Sequence, residues 1–183
     1  MKIPLRIKGT RNYIQGGDFF DGINSLLVEE SILELSFRNF TLHECNLEKS
    51  KGDNTIASLK TNCNQYYINE TNSLVVDKVD YKEELMIENS YFYGEVINLD
   101  LFVKGFTTIE HIIALTKELN NTLDPLDCSK WVFAQLKLTH ALPDKFESIT
   151  ICSEQRIPKK FSKNKITIDG ENVGLINFIV GEA

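Results

Sequence analysis

The pattern of apolar and polar residues predicts the same order of secondary-structure elements twice along the chain. A strand-like run at residues 3–8 precedes a helical pattern, and a second strand-like run at residues 96–103 precedes another. The apolar positions of the two helical patterns are 19, 20, 23, 26 and 27, and then 109, 112, 113 and 119. Segments with the period of half-buried strands follow each helix. The pattern predicts a strand, a helix and several strands, repeated twice.

Both predicted helices have start signals. The first is expected over residues 18–28, with Asp18 as the cap, because its carboxylate can accept hydrogen bonds from the free amides of the first turn. The second is expected over residues 107–123. Thr107 and Glu110 have the spacing of a capping box, and Pro125 prevents the helix from continuing.

The remaining segments predict extended antiparallel strands. Leu33, Leu35 and Phe37 alternate with polar residues, and the alternation changes phase at Phe40, which predicts a bulge near Arg38–Phe40. Further strands are predicted at 55–68, 73–86, 131–142, 146–157, 163–168 and 172–180. Asp169-Gly170 predicts a tight hairpin between the last two, since that turn requires positive φ.

Composition excludes several classes of protein. The 183 residues carry a net charge of −6 with acidic and basic residues interleaved, which argues against nucleic-acid binding. No apolar run approaches the ~20 residues that cross a bilayer, and the N-terminus has no apolar signal segment. The four cysteines are widely spaced, with no C-x-x-C pair. We therefore expect a cytoplasmic protein with reduced thiols.

This order of elements resembles the hotdog fold, in which a helix lies across a sheet of long antiparallel strands. The resemblance predicts an α+β protein of two hotdog-like units fused in one chain, residues 1–90 and 91–183. Such units ordinarily assemble as pseudo-twofold pairs, so the resemblance also admits a homo-oligomer.

The resemblance implies chemistry on acyl thioesters. Hotdog hydrolases commonly place a carboxylate at the junction of strand and helix, and Asp18 occupies that kind of position. Hotdog dehydratases pair a histidine with a carboxylate. Gly105-Phe106-Thr107 stands where the dehydratase histidine region is expected, but no histidine precedes it.

Three histidines are candidates for other roles. His140 continues the inward phase of Leu136 and Leu138, which predicts either a buried structural imidazole or a catalytic one in a pocket. His111 lies off the apolar stripe of its helix and is expected to face solvent. His43, near Glu44 and Cys45, is a fortuitous neighbour of these residues, half of a metal site or part of a thiol–imidazole pair, and no second pair of ligands has suitable spacing. The sequence therefore predicts no metal and no cofactor.

Three functions remain open. The protein hydrolyses an acyl thioester with Asp18 activating water, or it binds an acyl chain without catalysis, or it is an adaptor for a protein partner. Acyl-CoA and acyl carrier protein are the implied partners, and Lys159-Lys160 or Lys163 and Lys165 can supply a basic rim for the phosphates of coenzyme A. The sequence does not decide whether the protein is an enzyme.

Overall fold

The computed structural model describes residues 1–181 and divides the chain into two compact units, Met1–Tyr81 and Lys82–Ala183. Both units are mixtures of helix and mainly antiparallel sheet, as the sequence predicts. No helix within residues 1–181 is long and apolar enough to cross a bilayer.

The first unit holds one main helix and six strands. Its elements are β1 (Ile7–Lys8), α1 (Gly16–Leu26), β2 (Ile32–Phe37), β3 (His43–Glu48), β4 (Thr55–Thr61), β5 (Gln65–Leu74) and β6 (Lys78–Val79). Four strands form an antiparallel sheet in the order β3-β5-β4-β2, and β1 pairs in parallel with β6. Helix α1 packs on β2, where the rings of Phe19 and Phe37 lie 5.4 Å apart.

The N-terminal segment lies between β3 and α1. The Met1 amine donates to the carbonyl of Leu47 (2.8 Å) and the amide of Ile3 donates to the carbonyl of Cys45 (2.9 Å), which covers the edge of β3. On its other side the segment touches α1 at Gly22, where a Cβ would lie 2.9 Å from the carbonyl oxygen of Pro4. This close approach brings the backbone of residues 4–6 beside the first turns of α1.

The second unit also holds six strands, and its main helix is longer. Its elements are α2 (Glu84–Ile87), β7 (Tyr91–Tyr93), β8 (Val96–Leu99), α3 (Thr108–Leu123), β9 (Lys130–Leu138), β10 (Ile149–Ile157), β11 (Phe161–Ile168) and β12 (Glu171–Gly181). The strands follow the antiparallel order β9-β12-β11-β10-β8-β7. Helix α3 contacts β8, β9, β10 and β11, and eleven of its sixteen residues are buried.

The predicted second helix is confirmed, including its cap. The Glu110 amide donates to the Thr107 hydroxyl (3.4 Å), and the Thr107 amide donates to the Glu110 carboxylate (2.7 Å). The helix ends at Leu123, two residues before Pro125. Both boundaries follow from local chemistry, which explains why the sequence predicts them closely.

Three predictions about strands are wrong. Residues 73–86 do not form one strand, because β5 ends at Leu74, β6 has only two residues and the helix α2 begins at Glu84. Residues 55–68 are not one strand, because the chain reverses after Thr61, whose hydroxyl accepts a hydrogen bond from the amide of Asn64 (2.8 Å). The predicted bulge near Arg38–Phe40 is instead the end of β2 at Phe37. Alternation of apolar residues does not distinguish a bulged strand from two strands joined by a short turn.

The predicted hairpin between β11 and β12 is confirmed. Asp169 and Gly170 have φ of 50° and 82°, and Ile168 pairs with Glu171. The Asp169 carboxylate also accepts hydrogen bonds from the amides of Glu147 and Ser148, both at 2.8 Å. The turn therefore joins β11 to β12 and also holds the segment that leads into β10.

We expect Gly170→Val to destabilise the protein by about 1 kcal/mol or more, because a β-branched residue resists positive φ. Within residues 1–181, and apart from the two chain neighbours, no heavy atom lies within 4 Å of a Cβ built at this position, so the cost is conformational rather than steric. Chemical denaturation measures it. Gly170→Asn is the matched control, since asparagine tolerates this region, and equal stability of the two variants would contradict the explanation.

Candidate functional site

Asp18 lies in a buried ion pair. Its Oδ1 is 2.8 Å from Nζ of Lys8, and the side chains of both residues are only 4% exposed. Its Oδ2 accepts a hydrogen bond from the amide of Arg6 (3.1 Å). Both carboxylate oxygens therefore have protein partners.

The expectation that Asp18 caps the first helix is wrong. Helix α1 begins at Gly16 because Gln15 adopts the extended conformation of an N-cap, and the Gln15 side chain makes no capping hydrogen bond. Asp18 is the third helical residue, so its carboxylate still lies at the positive end of the helix dipole. From that position it reaches β1 rather than the amides of its own helix.

Lys8, the partner of Asp18, and Arg11 both lie against the ring of Tyr81. The Lys8 ammonium lies 5.3 Å and the Arg11 guanidinium 5.1 Å from the ring centroid of Tyr81. Arg11 also donates to the carbonyl of Lys8 (3.2 Å). The sequence prediction did not include Lys8. The signal that could have revealed it is a lysine within an apolar strand-like run, because a lysine buried with such a run requires a counter-charge.

An open groove of about 430 Å³ passes the Asp18 carboxylate. It is lined by Pro4, Leu5, Arg6, Asp18, Asp21, Gly22, Ser25 and Asp77. Because Lys8 neutralises Asp18, the charges left in this lining are those of Asp21, Asp77 and Arg6, which make the groove weakly acidic. Such a surface disfavours the phosphates of coenzyme A and does not support binding of that part of an acyl-CoA here.

The expectation that His140 points inward is wrong. Strand β9 ends at Leu138, so the alternation that predicted an inward imidazole stops two residues earlier. His140 is exposed, and its Nδ1 lies 2.9 Å from the hydroxyl of Thr139. A catalytic role for His140 remains a prediction.

The expectation that His111 faces solvent is also wrong. His111 is fully buried and lies 5.0 Å, between ring centroids, from both Phe102 and Phe146. Its Nδ1 is 2.8 Å from the carbonyl of Thr107, and its Nε2 accepts from the amide of Val103 (3.1 Å). Burial lowers the pKa of the imidazole, although the Thr107 carbonyl and the Glu110 charge oppose that shift. Phe102, from the segment before α3, and Phe146, from the segment before β10, therefore cover the side of the helix that carries His111.

His43 has a carboxylate partner that the sequence did not reveal. Its Nδ1 lies 2.9 Å from Oε1 of Glu70, on the neighbouring strand β5. The predicted thiol–imidazole pair is absent among the described residues, since the Cys45 sulfur contacts the backbone carbonyl of His43. Burial, reinforced by the Glu70 charge, raises the pKa of Cys45 to about 12, so this thiol is neutral. No group of three or more His, Cys, Asp or Glu residues within positions 1–181 is arranged to hold a metal ion.

We expect Asp18→Asn to lower the free energy of unfolding by about 3–5 kcal/mol, because the substitution leaves the buried Lys8 ammonium without its counter-charge. Urea denaturation measures the loss. In the double variant Asp18→Asn with Lys8→Met, most of the stability should return, since neither charge is then buried. A loss below about 1 kcal/mol in the single variant would show that the pair contributes little.

We expect His111 to make the protein less stable in mild acid. Its pKa in the folded protein is below the ordinary value of 6.5, so as pH falls below 6.5 the unfolded chain takes up a proton that the folded chain does not. Melting temperatures from pH 7.5 down to 5 measure this. His111→Gln should reduce the slope, whereas the exposed control His140→Gln should not; equal slopes for both variants would contradict the assignment.

No protein-family model and no curated protein matches this sequence. Solved structures do match its fold. The bifunctional dehydratase-cyclase domain of ambruticin biosynthesis is 8% identical, with a TM-score of 0.50 over 93% of this chain and 82% of that one.

Two further dehydratase structures give the same likeness. The dehydratase domain of PpsC from Mycobacterium tuberculosis, solved in complex with C12:1-CoA, is 8% identical, with a TM-score of 0.50 over 92% of this chain and 85% of that one. A structure concerning dehydratase substrate selection for the borrelidin and fluvirucin polyketide synthases is 10% identical, with a TM-score of 0.50 over 96% of this chain and 83% of that one. These neighbours are hotdog proteins, and at such low identity the likeness concerns the fold alone. This chain has the hotdog fold.

Proposed function

We propose that this protein binds an acyl thioester. The observation that carries the proposal is the extent of the fold match: 92% of the chain follows the PpsC dehydratase domain, which was solved with an acyl-CoA. Because one fold serves many functions, the ligand class is inferred by analogy and requires a direct test.

We also propose that the chain is a tandem of two hotdog-like units, residues 1–90 and 91–183. In the first compact unit, α1 is followed by the four antiparallel strands β2 to β5. In the second, α3 is followed by the four antiparallel strands β9 to β12. The repeated order supports this reading. The compact units meet between Tyr81 and Lys82, and α2 precedes β7, the first strand of the proposed second repeat.

The site geometry favours a structural role for Asp18 over a catalytic one. A general base requires a lone pair directed at water. The Asp18 side chain is buried, its Oδ1 contacts the Lys8 ammonium, and its Oδ2 accepts a hydrogen bond from the Arg6 amide. Hydrolysis that depends on Asp18 is therefore the less favoured form of the proposal. Asp18→Asn does not test it cleanly, because that substitution also breaks the ion pair.

The basic residues expected to bind the phosphates lie in the second unit. Along β11 the residues alternate between buried and half-buried, and Lys163 and Lys165 occupy half-buried positions on the outward face. Lys163 lies 3.4 Å from Glu154, whereas Lys165 makes no ion pair with any residue among positions 1–181. Of the two lysines on β11, Lys165 is therefore the one available to a phosphate.

We expect isothermal titration calorimetry to detect binding of an acyl-CoA among short-, medium- and long-chain forms. Lys165→Glu should weaken acyl-CoA binding about tenfold or more, which corresponds to about 1.4 kcal/mol, because it replaces attraction by repulsion. It should leave the affinity for the same acyl group on pantetheine, which lacks the nucleotide phosphates, unchanged. Lys51→Glu, at an exposed site of the first unit, is the control. Absence of binding to every acyl-CoA would overturn the proposed function.

One observation favours an adaptor as the second candidate. All three residues of β7, the aromatic Tyr91, Phe92 and Tyr93, are exposed, and β7 is the last strand of its sheet. An extended segment of another protein can add to such an edge. Phe92→Pro removes one edge amide, so loss of a partner in this variant, together with silence toward acyl-CoA, would support this candidate.

A further inference from the structure

A second polar cluster of the first unit lies outside the groove at Asp18. It consists of Thr41, His43 and Glu70, and we call it the His43 cluster. His43 is the first residue of β3, and Glu70 lies on the adjacent strand β5. Imidazole Nδ1 and carboxylate Oε1 are 2.9 Å apart, within hydrogen-bond distance.

Thr41 holds the carboxylate of this cluster in place. Its hydroxyl donates to Oε1 of Glu70 and accepts a hydrogen bond from the amide of His43 (2.8 Å). Its carbonyl accepts from the amide of Ile14 (2.9 Å), which anchors Thr41 to the segment leading into α1. The Glu70 carboxylate, which accepts the imidazole proton, is thus held by Thr41, and Thr41 is itself held by the segment before α1.

The charge on Glu70 determines which imidazole nitrogen carries the proton. Burial acts to raise the pKa of Glu70, but the hydrogen bonds from Thr41 and His43, with the charge of His43, outweigh it and hold the pKa below its usual value. An ionised carboxylate is an acceptor only. In the neutral imidazole the proton therefore resides on Nδ1, and Nε2 presents its lone pair.

Nε2 is the unengaged nitrogen of a partly exposed side chain. The His43 side chain is 39% exposed, and Nε2 makes no hydrogen bond with any residue among positions 1–181. The other charged group nearby on β3, Glu44, is paired with Lys2 at 2.8 Å. Cys45 is a buried neutral thiol and does not compete as a nucleophile.

We propose that His43 is a general base that hydrolyses acyl thioesters, with Glu70 as its positioning residue. The substrate class rests on the proposed function above. Nε2 takes a proton from water as the hydroxide adds to the thioester carbonyl carbon. The C–S bond then breaks, and the thiolate receives the proton from the imidazolium, which leaves a carboxylic acid and a thiol. Water is the only co-reactant.

A purely structural ion pair between β3 and β5 predicts a different outcome. Such a pair needs the Nδ1 contact alone, so its loss changes stability and has no effect on esterolysis. A general base additionally needs the open Nε2 and the ionised carboxylate behind it. The two roles therefore differ in rate and in pH dependence, which stability measurements do not report.

The test uses the full chain with two substrates. Para-nitrophenyl acetate reports on a reactive imidazole without requiring a coenzyme A site, and an acyl-CoA, followed by loss of thioester absorbance, reports on the proposed substrate. We expect His43→Gln to reduce both rates by about a hundredfold, within the range for loss of a general base. Glu70→Gln keeps an acceptor beside Nδ1 but removes the charge, so it should reduce the rates about tenfold or more and shift the pH at which the rate is half-maximal. Glu44→Gln, at the neighbouring carboxylate on β3 that pairs with Lys2 rather than with His43, should change neither rate.

Each result supports or overturns the inference. Unchanged rates in His43→Gln, or an equal loss in Glu44→Gln, would overturn it, and so would a Glu70→Gln variant with the wild-type rate and pH profile. If acyl-CoA binds in calorimetry but neither substrate is hydrolysed through His43, the inference fails while the proposed function stands. If para-nitrophenyl acetate is hydrolysed through His43 and Glu70 without any acyl-CoA binding, the base stands and the thioester is the wrong substrate. Should His43→Gln unfold, the pH profile of Glu70→Gln decides.

Discussion

Two opposite charges, on Lys8 and Asp18, are buried together in the first unit, and the position of helix α1 depends on them. Removing a charge from water costs several kcal/mol, so each charge is tolerated only while the other remains in place. The pair joins β1 to the first turn of α1, and the Arg6 amide extends the same contact along the chain. The close approach at Gly22 then keeps residues 3–4 against the helix. This arrangement places Arg6, Asp18 and Gly22 along the groove beside α1.

The three histidines differ because of what packs around each one. His111 is enclosed by phenylalanine rings and has both ring nitrogens in contact with the backbone, so it holds the loop before α3 in place as a neutral group. His140 lies beyond the end of a strand and is exposed. His43 combines a fixed carboxylate with an open nitrogen, the arrangement that acid–base chemistry requires. Residue type alone does not separate these three environments.

The fold and the chemistry of this protein therefore rest on different observations. The hotdog likeness extends over nearly the whole chain, but identities of 8–10% carry no residue-level information about a site. The residues themselves place an acidic groove at Asp18, a row of lysines on β11 and an oriented imidazole at His43. Because function resides in such sites, the substrate and the reaction are proposals drawn from these three features.

The sequence by itself determined the features that local chemistry controls. The Thr107–Glu110 cap, the end of α3 before Pro125 and the Asp169–Gly170 turn depend on residues within a few positions of one another, so spacing alone predicts them. Tertiary structure decided the roles of the charged and aromatic residues. Lys8 meets Asp18, His43 meets Glu70 and His111 meets Phe146 only after the chain has folded, across separations that no periodicity encodes. From the sequence alone, Asp18 could cap a helix or form an ion pair, and His111 could be solvated or buried. The neighbouring elements decide between these alternatives, because they determine which polar groups remain in contact with water.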